Sequence, residues 1–237
     1  MEHITKAIII AAGQGTRLRP VTDEIPKPLV PVNGVRLIDT TIRALRENGI
    51  KDIYIVVGYK KEQFYDVYGA EPDIHMIENP RYAEGNNILS AYYAREFLPD
   101  SFVIEGDIIV QNNAVYAPEI ERSFYCCEWL PHVPEWAVQD VDGRLVFGDI
   151  KGGLDNAYRM WGISAWNHDD GLKLAELIRE EVETKKNLSL YWDEVALREH
   201  PEEFDLALRK IRSGDLTEID TVKELAEADA SYQKYIK

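Results

Sequence analysis

Residues 11–29 read Ala-Ala-Gly-Gln-Gly-Thr-Arg-Leu-Arg-Pro-Val-Thr-Asp-Glu-Ile-Pro-Lys-Pro-Leu and follow the apolar run Ala7-Ile8-Ile9-Ile10. Such a run suits a buried parallel strand, so the glycines fall where the strand ends and its backbone N–H groups open outward. Gly13 and Gly15 can take positive φ and let the main chain approach a ligand closely. Thr16, Arg17, Arg19 and Lys27 add a hydroxyl and three cations in the same stretch, groups of the kind that hold phosphate oxygens. The alternative is an ordinary strand-to-loop connection carrying solvated basic side chains. Neither common nucleotide loop is present: Gly-x-x-x-x-Gly-Lys-Ser/Thr is absent, and the segment lacks the third glycine of the dinucleotide fingerprint.

Working outward, strand signals over 6–11, 52–57, 74–77 and 101–104 alternate with helix signals over 36–47, 61–68 and 87–97. In the first helix Ile38, Ile42 and Leu45 share one face, and Gly49 is placed to stop it. This alternation predicts an α/β fold: a mixed, mostly parallel twisted sheet with helices on both faces. Ligands of such sheets sit beyond the carboxyl ends of the strands, which puts Gly13 to Arg17 and Glu105-Gly106-Asp107 on one rim. After residue 108 the stretches are shorter and β-like (125–129, 137–139, 145–149, 162–166). A helix over 170–185, a second beginning near Ser189, a strand over 206–211 and a terminal helix from Thr221 follow. One domain over 1–237 is expected, with 1–107 mainly the ligand-cradling half and 108–237 mainly the half that holds a second reactant, built on the same sheet.

Composition narrows the class. The chain has 27 Lys+Arg against 42 Asp+Glu, a formal net charge of −15, which argues against a nucleic-acid or anionic-membrane surface. An anionic ligand must then be neutralised locally. The aliphatic runs are far too short for a membrane span, and Met1-Glu2-His3 lacks a basic segment leading into an apolar one, so a cytoplasmic location is expected. Cys126 and Cys127 are adjacent in a β-forming segment where successive side chains face opposite sides, so both read as structural thiols.

Two distant acids look like a metal pair. Asp107 closes the string Phe102-Val103-Ile104-Glu105-Gly106-Asp107 at the sheet rim, and Asp220 ends Leu216-Thr217-Glu218-Ile219-Asp220. Mg²⁺ takes one or two protein carboxylates and fills the remaining positions with substrate phosphates and water. For Asp220 a second reading stands beside this one, because Thr221 with Glu224 forms a capping box and Asp220 would favour the helix dipole. Further on, Glu135-Trp136 and Leu190-Tyr191-Trp192-Asp193 interleave large rings with carboxylates. Ring faces and acids are what a cationic amine needs; core packing is the other use of such rings.

Gly13-Gln14-Gly15-Thr16-Arg17 followed by Pro26-Lys27 resembles the signature of the sugar-phosphate-type nucleotidyltransferases. Together with Asn79 to Asn87, Glu135-Trp136, Leu190-Tyr191-Trp192-Asp193 and Glu218-Ile219-Asp220, the chain is similar to the bacterial CTP:phosphocholine cytidylyltransferase family along its length. The resemblance implies a Rossmann-like nucleotidyltransferase fold and Mg²⁺-dependent transfer of CMP from CTP to phosphocholine, releasing pyrophosphate. It implies that Ala12, Gly13, Gly15, Thr16 and Arg17 hold the nucleotide, that Lys27 bridges the α-phosphate and the acceptor, and that Asp107 and Asp220 bind the metal. Asn86 and Asn87 are implied as readers of the cytosine, with helix N-capping the competing role for one of them. Glu135, Trp136, Tyr191, Trp192 and Asp193 are implied around the amine. The expected partners are CTP and a small phosphorylated or phosphonate amine, with no nucleic acid or membrane; a homodimer is compatible with this reading. The alternatives are a 2-aminoethylphosphonate cytidylyltransferase, a sugar-1-phosphate nucleotidyltransferase and a non-catalytic nucleotide-sensing subunit.

Overall fold

The computed structural model describes residues 1–134, 136–148 and 153–236. Its centre is a nine-stranded mixed sheet. The strands are β1 (Lys6–Ile10), β2 (Asp52–Val57), β3 (Ile74–Glu78), β4 (Ser101–Glu105), β5 (Phe124–Val133), β6 (Ala137–Val141), β7 (Arg144–Phe147), β8 (Leu154–Trp166) and β9 (Ala207–Ile211). The first four lie parallel in the order β4-β1-β2-β3. β8 joins the two halves. It runs antiparallel to β4 through its last residues, and β5 follows its other edge from Phe124↔Ala165 to Val133↔Leu154.

Alternation along the strands builds two cores, one on each face. Ala7 and Ile9 pack into one, Ile8 and Ile10 into the other, and all four are buried. The adjacent cysteines divide in the same way, Cys126 to the first core and Cys127 to the second, and both are free thiols. Burial pushes the Cys126 thiol up to about 12, which makes it inert as a nucleophile. The first face is covered by α1 (Leu37–Glu47) and α2 (Lys61–Tyr68), through Ile38, Ile42, Phe64 and Tyr68. The second is covered by α3 (Ile88–Ala94) and α4 (His168–Glu183), through Leu89, Leu174 and Ile178. Each such buried aliphatic side chain contributes about 1.5–3 kcal/mol.

Local chemistry sets the helix ends. Gly49 takes φ 82° just after α1, and the Asn167 side chain accepts from the Asp170 N–H at 2.8 Å to begin α4. At α5 (Val222–Ala228) the Thr221–Glu224 capping box is complete.

Three expectations need correction. No helix begins near Ser189; the segment stays irregular until a short π-type turn over Val195–Glu199, because Glu194 and Asn87 side chains capture the Tyr191 and Trp192 N–H groups. The helix expected over 87–97 tightens into a 3-10 turn at Arg95–Phe97. β5 and β8 are longer than their composition announces, since the polar, proline-containing end of β5 is held by pairing with 154–157. The end of the stretch 145–149 lies outside the described residues. No helix among the described residues is long and apolar enough to cross a membrane.

Two elements bring the rim together. β1 and β4 end side by side, Ile10 opposite Glu105. A two-stranded ribbon, Ile108–Val110 with Leu216–Glu218, pairs Glu218 with Ile108 and so carries the carboxyl-terminal acids to the end of β4.

Candidate active site

The glycine turn leaves β1 at the sheet rim and opens onto a cleft of about 450 Å³. Its two glycines serve different ends. Gly15 has φ 60°, and a Cβ there would stand 2.9 Å from the Lys27 Cβ, so the turn is shaped to let the lysine pass. Gly13 has no such strain; a Cβ there would meet nothing within 4 Å, and the bare backbone faces the cleft. Ala12, Gly13, Gly15, Thr16 and Arg17 all line it. Arg19 does not belong to this set: its Nε turns 3.2 Å from Asp23 on the surface, because Pro20 follows and the chain turns away.

Lys27 is the electrostatic centre. Its Nζ donates to Asp107 Oδ2 at 2.6 Å and to Asp220 Oδ1 at 2.7 Å. Arg17 donates from Nη1 to the other Asp220 oxygen at 2.8 Å. Desolvation works against the buried ammonium, yet the two aspartates outweigh it and its pKa is raised. Both readings of the 220 region hold at once, since Thr221 and Glu224 cap α5 while Asp220 turns its carboxylate to Lys27.

A third acid completes the group, and the sequence reading did not single it out. Carboxylate oxygens of Asp107, Glu218 and Asp220 lie within 4.8 Å of one another. The signal was present in Glu218-Ile219-Asp220, where an i, i+2 pair of acids flanks a buried isoleucine. Glu218 keeps exposed surface, but desolvation of its carboxyl and the charges of Asp107 and Asp220 push it up to about 7, against Lys27 and Arg159. Asp107 Oδ1 is buried and has no hydrogen-bond partner. Three hard oxygen donors, one already desolvated and unpartnered, fit a magnesium ion.

The remaining residues gather along the second face of the sheet. Asn87 is used internally, donating to Glu105 at 2.9 Å and accepting from the Trp192 N–H at 2.9 Å. It makes no side-chain cap on α3. Asn86 lines the cleft, its Oδ1 accepting from the Asn87 N–H at 2.9 Å. Tyr82 and Gly85 line the same cleft and were not singled out from sequence. A Cβ on Gly85 would fall 2.3 Å from the Leu188 carbonyl, so only glycine fits this close crossing of two loops.

The two tryptophans differ. Trp136, at φ 53°, lies edge-on to Tyr191 with centroids 5.3 Å apart, and Tyr191 is 44% exposed. Trp192 is 1% exposed, stacks on Tyr125, and donates its indole N–H to Glu105 at 3.2 Å. Its ring belongs to the core, and its link to the site runs through Glu105. Burial, then Asp107 and Asp193, hold the Glu105 carboxyl well above the usual range. Asp193 is raised to about 7 by burial, with Oδ1 lacking a partner. Glu135 lies outside the described residues.

Known proteins share this arrangement of chain. The Nucleotidyl transferase family model matches residues 6–122. A 2-aminoethylphosphonate cytidylyltransferase of Lancefieldella rimae is 36% identical over 96% of this chain and 93% of its own. A choline-phosphate cytidylyltransferase of Streptococcus pneumoniae is 35% identical, over 92% of this chain and 94% of its own. The solved CTP:phosphocholine cytidylyltransferase from Streptococcus pneumoniae superposes with a TM-score of 0.86 at 32% identity, covering 95% of this chain and 98% of that one. The chain is thus an enzyme of the nucleotidyl transferase family, similar over nearly all its length to cytidylyltransferases.

Proposed function

We propose that the protein transfers CMP from CTP to phosphocholine, with magnesium as its cofactor, giving CDP-choline and pyrophosphate. The observation that carries this reading is Lys27, held between Asp107 and Asp220 directly beneath the glycine turn. Backbone N–H groups of the turn and Arg17 would cradle the triphosphate, and Asn86 would face the base. Lys27 would stand between the α-phosphate and the attacking phosphate. Asp107, Glu218 and Asp220 would hold magnesium, which when bound supplies positive charge to the reacting phosphates.

The chemistry asks little of a general base. A phosphate monoester's second pKa is about 6, so the attacking oxygen is ionised near neutral pH. It adds to the α-phosphorus of CTP, the α–β bridging P–O bond breaks, and pyrophosphate leaves with that electron pair. The chain's task is to align three anionic groups and offset their repulsion. On the acceptor side, the Trp136–Tyr191 pair offers ring faces to a quaternary ammonium. The site is built for soluble substrates, and a cytoplasmic location accords with it.

A second reading, transfer to 2-aminoethylphosphonate, is favoured by Asp193, whose buried Oδ1 has no partner. A primary ammonium needs hydrogen-bond acceptors, and a trimethylammonium has no N–H to offer them. Pyrophosphate release separates the readings when CTP, UTP, ATP and dTTP are each offered with phosphocholine, phosphoethanolamine, 2-aminoethylphosphonate and glucose 1-phosphate, with and without Mg²⁺. Release with CTP and phosphocholine is expected. Release only with the phosphonate would transfer the assignment to the second reading, and no release with any pair would leave a nucleotide-binding protein.

A further inference from the structure

The loop that brings Asn86 to the nucleotide cleft is also tied to the segment that carries Tyr191 and Asp193. The Asn86 N–H donates to the Leu188 carbonyl at 2.7 Å, and its Nδ2 to the Ser189 carbonyl at 3.4 Å. Asn87 reaches further along the same segment. Its Oδ1 accepts from the Trp192 N–H at 2.9 Å, and its Nδ2 donates to Glu105 Oε1 at 2.9 Å. A main-chain N–H can only donate, so Trp192 faces the amide oxygen and Nδ2 is thereby turned to Glu105. The Trp192 indole N–H donates to that same Glu105 oxygen at 3.2 Å. Trp192 is held at main chain and ring together, and both holds lead to Asn87 or to the oxygen it binds.

Glu105 is itself fixed. It ends β4 opposite Ile10 and lies against Gly162 of β8, where a Cβ would fall 2.5 Å from the Glu105 Cγ. Trp192 stacks on Tyr125 and lies edge-on to Trp166 in the second core. Phe147, the ring beside Trp136, packs against the same core. The tie and the aromatic pair therefore share one face of the sheet.

The bland account is that a polar side chain in a packed region finds partners. Two observations exceed it. Asn87 lines the nucleotide cleft, yet its amide bonds run to Glu105 and Trp192. The residues on either side of Trp192 are Tyr191, half-exposed and edge-on to Trp136, and Asp193, whose buried Oδ1 has no partner. The Tyr191 N–H is captured in turn by Glu194 at 2.8 Å. The bond from Asn87 thus fixes the stretch of main chain that bears both groups.

We propose that Asn87 is a positioning residue for the acceptor: by holding Trp192 against Glu105 it sets where Tyr191 and Asp193 stand relative to the nucleotide, and it takes no part in reading the base. This rests on the transfer reaction proposed above, in which a small misplacement of one reactant is costly. Steady-state kinetics of Asn87→Ala and Trp192→Phe test it, together with hydrogen exchange over residues 188–193. Asn87→Ala should raise the acceptor KM about tenfold, the loss of two hydrogen bonds, and leave the CTP KM and the preference for CTP over UTP within about twofold. Exchange over 188–193 should quicken while that of β1 stays as it was. Trp192→Phe keeps a ring and removes the indole donor; it should raise the same KM about threefold, and it decides the matter if the alanine variant does not fold.

A raised CTP KM or a lost preference for CTP, with the acceptor KM unchanged, would return Asn87 to the base and overturn the proposal. Equal rises in both constants would mark a general loosening of the loop and count against it. Folded variants with a lower Tm and unchanged constants would reduce the bonds to packing. Failure of the parent reading shows in the wild type, as use of another acceptor or of none; failure of this one shows only in the variants, read against whichever acceptor the wild type uses.

Discussion

Lys27 and Asp220 stand 193 positions apart in the chain and 2.7 Å apart in space. The contact is made possible by the ribbon that pairs Leu216–Glu218 with Ile108–Val110, and the same ammonium reaches Asp107 at 2.6 Å. The lysine is the counterion that lets the acids of two distant segments share one site.

Lys27→Met should uncouple stability from chemistry. Removing the ammonium leaves Asp107 and Asp220 facing each other at a cost of about 3 kcal/mol, and turnover should fall by about 10³-fold. Mg²⁺ should then raise the Tm of the variant more than that of the wild type. Thermal melts with and without the ion check this; an equal shift in both proteins would mean that the acids do not meet at a common cation.

Asp107→Asn should abolish turnover, by about 10²-fold or more, while the fold survives. Its Oδ1 has no protein partner to lose, and Lys27 keeps Asp220. A rate near wild type would remove Asp107 from the proposed metal site.

The two glycines should respond in opposite ways. Gly15→Ala forces a Cβ to 2.9 Å from the Lys27 Cβ at φ 60°, so a stability loss of about 1–2 kcal/mol is expected. Gly13→Ala meets open space; its stability should change by less than about 0.5 kcal/mol, while the CTP KM rises about tenfold as the nucleotide's approach is blocked. Denaturant melts paired with KM values test this, and a stable Gly15→Ala would contradict the geometry.

The metal-free protein should lose stability as pH rises towards neutrality. Asp193 is raised from 3.8 to about 7, chiefly by burial. Between those values the native state binds more protons than the unfolded chain, so the slope of stability with pH is negative there. The contribution is complete below the unfolded pKa and gone above about 7. A Tm lower by about 5 °C at pH about 7.5 than at about 5.5 is expected, and Asp193→Asn should flatten the difference. A slope unchanged in that variant would assign the effect to other acids.

Trp136→Ala should raise the acceptor KM about tenfold and leave that for CTP unchanged, the loss expected for a ring face on a cation. Equal effects on both constants would indicate packing against Tyr191 and Phe147 as its whole role.

Much of this was legible in the chain because it is local. The β1 run, the glycine turn, the Gly49 stop and the Thr221–Glu224 cap are each written in a few neighbouring residues. What escaped was decided by partners far away. Trp192 reads like Trp136, two rings beside acids, yet one is core and the other faces Tyr191; only the packing of Tyr125 and the demand of Glu105 for a donor separate them.

The sequence by itself determined the alternating α/β order and the glycine turn at the end of β1, and it singled out the two aspartates, since hydrophobic periodicity, glycine freedom and charge are properties of the residues themselves. Tertiary structure alone decided that Glu218 joins those aspartates, that Arg19 does not join Lys27, and that Asn87 is spent on Trp192 and Glu105. The reason is physical: a carboxylate or amide acquires its role from the charges and donors brought within a few ångströms of it. The β4 rim and the ribbon beside it, closing across most of the chain, choose that company.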